Sequence, residues 1–553
     1  METSTLLILA LLVALVVAYR IYKPSPFSNI PGPEPTSFML GNLREILQQP
    51  AGLAEFEWQR KYGDVVRFRA SFGTDQLMVA DPKALQHVLQ SSGYKWRKSP
   101  VRREIARLTS GKGLAWADGD VHTRQRKVML PGFRAPETKY FVPFFISCAE
   151  AMCSGWKGTI SRTGGQSHVF NFPEYVSRAT LDAIGQAAFD YDFGSTNNHE
   201  NELANLYESL TANAFSAPPD IAVLMLDLFR HVPPAVMEFI NDHNPKLKVL
   251  HRVAGVANEV ASGLIAQKTE DIKGGNPNKD IMTFLVQSNL SENPKSRLTE
   301  EELLAQMRTL IFGGHETITK IARNPQLQAR LRAEIRATEE KIADRGEEEF
   351  TMQDFEEMPV LNAMSKETLR YHPVAIHLYR TAYEDDVLPL LKPIVGKSGE
   401  IISEIHIPKG TQVIGSASAY NRSVNFMSIR ILSDLDMFYR QGTRMYLAKA
   451  DSFEFNIDRW LEGRVKAEVS LGVYANLATF ASGIRSCIAW RFAVTELQAF
   501  IVVLLRNFEL ETTPKLAKIR RESALAMVPT IEGELDKGSQ LPLKVSIISK
   551  TEV

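Results

Sequence analysis

Of the three cysteines in this sequence, Cys148, Cys153 and Cys487, the last stands where its chemistry could be used. It lies in FASGIRSCIAWRFAVTELQAF, residues Phe480 to Phe500, just ahead of a run in which Ala489, Phe492, Ala493, Leu497 and Phe500 recur at helical spacing. A thiol at a helix N-terminus meets unpaired N–H groups and the positive end of the helix dipole, which favours the thiolate. Gly483 permits a tight, left-handed turn that brings backbone close to something flat, and Arg485 can pair with a carboxylate. A thiolate so placed, in a dry pocket, suits the axial ligand of a haem. By composition alone, a small apolar cysteine in the core is the better account.

Three other stretches carry residues at chemically useful spacing. In FGGHETIT, Gly313 and Gly314 sit inside a helical pattern, where each costs about 1 kcal/mol relative to alanine, and Glu316 and Thr317 follow. An acid beside an alcohol can relay protons; a solvent-facing pair beside a helix break explains these residues equally well. In SKETLRYHP, Glu367 and Arg370 are one turn apart and share a helix face, which on a solvated surface amounts to a few tenths of a kcal/mol. In WADGDVHTRQRKVMLPGF, His122 and Arg126 are four residues apart and face one way.

Taken in order along the chain, these stretches resemble the cytochrome P450 family of haem-thiolate monooxygenases. Phe480-x-x-Gly483-x-Arg485-x-Cys487-x-Ala489 is similar to its haem-binding signature, with alanine at a final position where the family usually has glycine. The resemblance implies that Cys487 is the axial ligand of the haem iron and that Phe480, Gly483 and Arg485 flank the cofactor. His122, Arg126, Arg380 of HLYRTA and Arg485 would hold the haem carboxylates, which need paired cations in an apolar site. Glu316 and Thr317 would deliver protons during oxygen activation, with His315 placed to tune the acid. Glu367, Arg370 and Arg459 of FEFNIDRW would form a structural lock, although Ile457 stands where the family has proline.

The same resemblance implies a reaction: one oxygen atom of O2 inserted into a small lipophilic substrate. Electrons would come from NADPH through a membrane-bound reductase, with a cytochrome b-type donor as a further source. The overall style is similar to fungal members that act on terpenoids, steroids or polycyclic aromatics, in secondary metabolism or xenobiotic oxidation. The segment after YKWRKSP, the stretch ANAFSAPPDIAVLML, Phe312 and Gly313 would line the substrate pocket. Two other readings stand beside this one. A haem-thiolate isomerase or dehydratase would need no reductase, but such relatives commonly lose the acid–threonine pair kept here. A haem-binding membrane protein with impaired catalysis is suggested by a departure from the family pattern: the interval from Thr317 to Asn324-Pro325 is short by roughly two helical turns, about 11 Å. A second departure is the reverse, extra material at about 427–448, equal to about six turns if helical. Both read as splice-junction differences.

The elements that must position these residues come from a long, ordinary chain. Its 553 residues carry 64 Lys plus Arg against 64 Asp plus Glu, so no basic footprint points to nucleic acid. Three scattered cysteines exclude a disulfide framework; Cys148 and Cys153, five apart, do not share a helix face and read as core. Residues 1–23 form an apolar membrane anchor that begins with Glu2 rather than a basic region, with Arg20 and Lys23 on its downstream side. That charge placement puts the catalytic domain of a single-pass protein in the cytosol, where Asn289 and Asn421 escape glycosylation, and the resemblance implies that the membrane is that of the endoplasmic reticulum. Residues 24–40 form a proline-rich hinge that cannot be helical. Residues 41–553 form one domain, mainly α with a minor β portion; the resemblance implies the cytochrome P450 fold. Strands are expected at VVRFRASFG, DQLMVAD and HIPKGTQVIGSA, and a capping box of Thr299 with Glu302 opens a long amphipathic helix.

Overall fold

The computed structural model describes residues 25–548, apart from 197–201, 203–204, 206–217, 276–279, 291–296, 311–320, 424–451, 466 and 524–526. The expected anchor, the segment holding Phe312, Gly313, His315, Glu316 and Thr317, and the expected insertion at about 427–448 lie outside the described residues, as does part of ANAFSAPPDIAVLML. Among the described residues no helix is long and apolar enough to cross a membrane.

The proline-rich stretch avoids regular structure, as its composition requires, but from Phe27 onward it is not a detached spacer. Phe27 and Ile30 are buried in the core, and the Arg67 N–H donates to the Pro31 carbonyl at 3.0 Å. Gly32 has no alternative there, because a Cβ would lie 1.7 Å from the Arg67 carbonyl oxygen. A short helix α1 (Leu43–Leu47) and a longer α2 (Leu53–Tyr62) then lead into the hairpin of β1 (Val65–Arg69) and β2 (Asp75–Val79). After β3 (Trp96–Lys98) come α3 (Pro100–Ser110), α4 (Gly119–Met129) and the 28-residue α5 (Ala135–Arg162).

The middle of the chain is helical, as its periodicity predicts: α6 (Phe172–Ile184) follows β4 (Ser167–Asn171), then α7 (Asp220–Phe229), α8 (Pro234–Asp242), α9 (Lys248–Lys273), α10 (Ile281–Leu290) and α11 (Glu300–Leu310). The capping box forms: the Glu302 N–H donates to the Thr299 hydroxyl at 3.1 Å, and the Thr299 N–H to the Glu302 carboxylate at 2.9 Å. Next are α12 (Pro325–Asp344) and α13 (Pro359–Tyr371), then strands β5 (His377–Ala382), β6 (Asp386–Val395), β7 (Ile401–Ile407) and β8 (Gln412–Ser416). The last long helix is α14 (Trp490–Asn507), followed by β9 (Phe508–Thr512), β10 (Ile519–Ser523), β11 (Met527–Ile531) and β12 (Pro542–Ile547).

Both ends of the body share one sheet, ordered β1-β2-β8-β5-β3, in which only β2 and β8 run parallel. That sheet brings Lys98 on β3 directly opposite Arg380 on β5. A smaller sheet, β4-β12-β9, ties the chain's last strand back to its first third. The helical core gathers around α5 and α14. Val502 to Leu505 of α14 are each at most 1% exposed, the pattern of a helix enclosed on every side. Trp156 of α5 is buried against Phe170, with ring centroids 4.7 Å apart and nearly parallel planes, so aromatic stacking joins the helices to the smaller sheet. Cys148 and Cys153 lie in this core; burial pushes both thiols up to about 12, so they stay protonated apolar filler.

Candidate functional site

Cys487 is held by a loop whose shape is dictated by what it packs on. The Cys487 N–H donates to the Phe480 carbonyl at 2.8 Å, closing the loop on itself. Gly483 adopts φ +64°, and a Cβ there would lie 2.0 Å from the Leu89 carbonyl oxygen. The left-handed turn read from the sequence is present, and backbone of the π turn His87–Ser91 is a close neighbour that demands glycine. From that turn the Gln90 side chain donates to the Leu471 carbonyl at 2.7 Å and the Ser482 hydroxyl at 2.6 Å, fixing both limbs of the loop. Phe480 is partly buried edge-on to Tyr474.

The thiol itself departs from expectation. Burial pushes Cys487 above its usual value, and the Ala489 N–H and Arg126 pull it back only in part. A bound metal cation would deprotonate this thiol outright.

Around this loop positive charge accumulates in a nearly dry space. Asp118, the N-cap of α4, accepts the Arg485 Nε–H at 2.9 Å and the Lys98 backbone N–H at 3.0 Å. Burial alone would raise its carboxyl, but the charge and hydrogen bond of Arg485, with Lys98, hold it below its usual value. Arg485 also stacks over the Tyr94 ring at 4.6 Å. Arg126 grips the residue beside the thiol, donating to the Ser486 carbonyl at 2.7 Å and its hydroxyl at 3.1 Å. Lys98 donates to three carbonyls, Leu114 at 2.9 Å, Ala115 at 2.6 Å and Ala117 at 2.9 Å; burial and the neighbouring cations bring its pKa down to about 7.

Arg380 is the least compensated of the set. Its Nη1 reaches the Tyr379 carbonyl at 2.8 Å, its buried Nε has no hydrogen-bond partner among the described residues, and burial with the repulsion of Arg485 lowers it to about 10. His122 is buried, its Nδ1 2.7 Å from the Tyr94 hydroxyl, and burial with the surrounding cations depresses it to about 3, so it is a neutral imidazole. Among the described residues the cations Lys98, Arg126, Arg380 and Arg485 thus have one carboxylate between them, Asp118. Buried charge without a partner is costly, and a ligand with two carboxylates satisfies this set. A haem fits on that ground, with Cys487 to take its iron.

The expected lock assembles completely. Glu367 accepts from Arg370 Nε and Nη2, both at 2.8 Å, and from Arg459 Nε at 3.2 Å; the three side chains are at most 1% exposed. Two more donors meet the same carboxylate, the Asn456 N–H at 2.7 Å and the Trp460 indole at 2.9 Å. Arg370 is further spent on the Ser452 and Glu454 carbonyls, both at 2.7 Å. A buried ion pair this fully hydrogen-bonded cements α13 to the segment that precedes the cysteine loop.

The site residues missed by sequence reasoning are Lys98, Asp118 and Gln90. Asp118 carried a readable signal, an aspartate just ahead of a helical pattern. Lys98 and Gln90 carried none, because their roles come from strand pairing and from a distant loop. A polar chain also runs from α4 to α11: Glu302 accepts from Arg124 at 2.6 Å and from Gln125 at 3.0 Å, and Gln306 donates to Gln125 at 3.1 Å. It fixes the helix that leads into residues 311–320 against the helix that carries His122 and Arg126.

Comparison with known proteins agrees with this geometry. The family model described as Cytochrome P450 matches residues 31–426 and 450–535, and passes over 427–449. Similar proteins include cytochrome P450 monooxygenase 205 of Postia placenta, 29% identical over 551 residues that cover 96% of this chain and 95% of the relative. Cytochrome P450 monooxygenase claQ of Ampulloclitocybe clavipes is 28% identical, covering 95% of this chain and 94% of its own. A ganoderic acid synthetase of Ganoderma lucidum is 28% identical, covering 97% and 96% respectively.

Two outcomes follow from the site. Replacing Glu367 by alanine leaves Arg370 and Arg459 buried without a counter-charge, a loss of about 3–5 kcal/mol, and little folded, haem-loaded protein is expected; a urea midpoint equal to wild type contradicts this. For Lys98, the ligand-free pKa of about 7 lies below its ordinary 10.5, and two carboxylates alongside must raise it again. At Lys98 haem binding then takes up a proton above pH 7, which opposes the proton that Cys487 releases on ligating iron, so retention gains less from rising pH than it would without Lys98. Haem-transfer rates at pH 6.5 and 9 should show retention improving more with pH in Lys98→Met than in wild type; parallel slopes contradict it.

Proposed function

We propose, from the premise that this chain belongs to the cytochrome P450 family of haem-thiolate monooxygenases, that it inserts one oxygen atom of O2 into a small lipophilic substrate, a terpenoid, steroid or polycyclic aromatic. The observation that carries the reading is the buried excess of cations around Cys487, with Arg380 left short of a partner. When bound, the haem supplies the oxidising chemistry. The chain's own residues do the rest. Cys487, as its thiolate, would ligate the iron. Arg380, Lys98, Arg485 and Arg126 would neutralise the cofactor's carboxylates, and His122, held neutral, would offer them a hydrogen bond rather than a further charge. The lock of Glu367, Arg370 and Arg459 keeps the segment ahead of the cysteine loop from shifting. Glu316 and Thr317 move protons to the reacting centre, and Phe312 and Gly313 border the substrate.

Residues 1–23 anchor the protein in the endoplasmic-reticulum membrane as a single pass with the catalytic domain, 41–553, in the cytosol. There a membrane-bound reductase passes electrons from NADPH, with a cytochrome b-type donor able to contribute. A relative named for ganoderic acid synthesis favours a role in secondary metabolism. One observation favours a second reading, a haem-binding protein with impaired turnover: Asn324 already caps α12, so little chain separates it from Thr317.

Membranes carrying the full chain and a reductase, given NADPH, labelled O2 and a panel of terpenes, steroids and polycyclic aromatics, should yield a product bearing one labelled oxygen. Thr317→Ala should divert a several-fold larger share of the electrons to hydrogen peroxide. Turnover without NADPH supports an isomerase or dehydratase instead. Haem-loaded protein that oxidises nothing in the panel supports the impaired reading.

A further inference from the structure

We infer that a recess on the far side of β5 from the cation cluster receives the anionic end of a lipophilic carboxylic acid, with Arg102 as its counter-ion. This deepens the monooxygenase reading, on which the lipophilic character of the substrate rests. The recess lies between α1, α3, α7 and the five-stranded sheet and holds a cavity of about 120 Å³ that opens to solvent at its mouth. Leu47, Ile105, Leu226 and Ile414 make most of its walls apolar. Its floor includes Tyr379, the neighbour of Arg380 in sequence; consecutive residues of a strand point to opposite faces, so one strand separates this recess from the buried cations.

Three charged side chains line it, and two of them are already satisfied. Asp227 pairs with Arg230 at 3.2 Å and accepts the Ser71 N–H at 3.0 Å and the Gln76 amide at 3.4 Å. Arg102 is different. Its guanidinium lies over the Tyr379 ring at 4.1 Å, and among the described residues no carboxylate pairs with it. Stacking uses the face of the guanidinium and leaves its N–H edge for an acceptor in plane, the geometry that suits a bidentate carboxylate. A neutral lipophile filling the recess covers that charge and gives it nothing. A carboxylate at the head of an apolar body satisfies both the cation and the walls.

The test uses the resting, haem-loaded full chain and two probes of equal length, dodecanoate and dodecan-1-ol, titrated by calorimetry below their aggregation concentrations. Wild type should bind dodecanoate about tenfold or more tightly than the alcohol. Arg102→Gln should bring that ratio to within about twofold, and Arg102→Lys should keep part of it. Arg97→Gln, which removes a cation stacked on Tyr383 outside the recess, should leave the ratio as in wild type. A wild-type ratio near one, or a preference unchanged in Arg102→Gln, overturns the proposal. Oxidation of neutral lipophiles without carboxylate preference sinks this inference alone, whereas carboxylate binding without any oxygenation sinks the monooxygenase reading.

Discussion

Among the described residues four cations share a nearly dry space with one carboxylate, and that imbalance organises the site. Asp118 can answer Arg485 and orient the Lys98 strand, but it cannot neutralise Lys98, Arg126, Arg380 and Arg485 together. The protein spends what polar backbone it has, giving Lys98 three carbonyls and Arg126 the groups of Ser486. Arg380 remains short of a partner, and Lys98 and His122 are driven toward their neutral forms. A ligand with two carboxylates converts this set from a liability into a clamp, which ties folding energy to the presence of the cofactor.

That clamp works only if its parts, drawn from distant segments, stay in register. The five-stranded sheet sets Lys98 against Arg380, the Asp118 cap ties α4 to β3, and Arg126 ties α4 to the cysteine loop. Behind the loop, the fully buried Glu367 carboxylate receives donors from Arg370, Arg459, Asn456 and Trp460. Removing one member of such a network leaves charge stranded, so its rigidity comes from the penalty for breaking it more than from the strength of any one bond.

How much of this was legible in the sequence depended on whether a residue's role is local. Cys487, the Glu367–Arg370 turn and Arg459 stand in short patterns whose spacing fixes their geometry, and they meet where those patterns place them. The Thr299–Glu302 box and the strands at Val65–Arg69 and Asp75–Val79 were readable for the same reason. Gly483 was read with the right conformation, but the contact with Leu89 could not be read, because it arises from tertiary packing. A helix end was expected to favour the thiolate, and burial pushes the thiol the other way. Residues 25–40 read as a spacer, yet Phe27 and Ile30 found a core that the prolines alone could not announce. Arg485 was expected to hold a cofactor carboxylate and already carries Asp118. Lys98 and Gln90 had no signal at all, since strand pairing and a loop contact define them; Arg102 lies in the segment expected to line the pocket, but its stacking on Tyr379 depends on another element.

The central claim is that Cys487 supplies a thiolate to a haem iron inside this clamp. The most direct measurement is the absorption spectrum of the reduced protein under carbon monoxide, compared between wild type and Cys487→Ala together with the haem content of each. Wild type is expected to show a thiolate-type carbon monoxide spectrum, and the variant to lose that spectrum and much of its haem. Equal haem content with an unchanged spectrum in the variant would contradict the account.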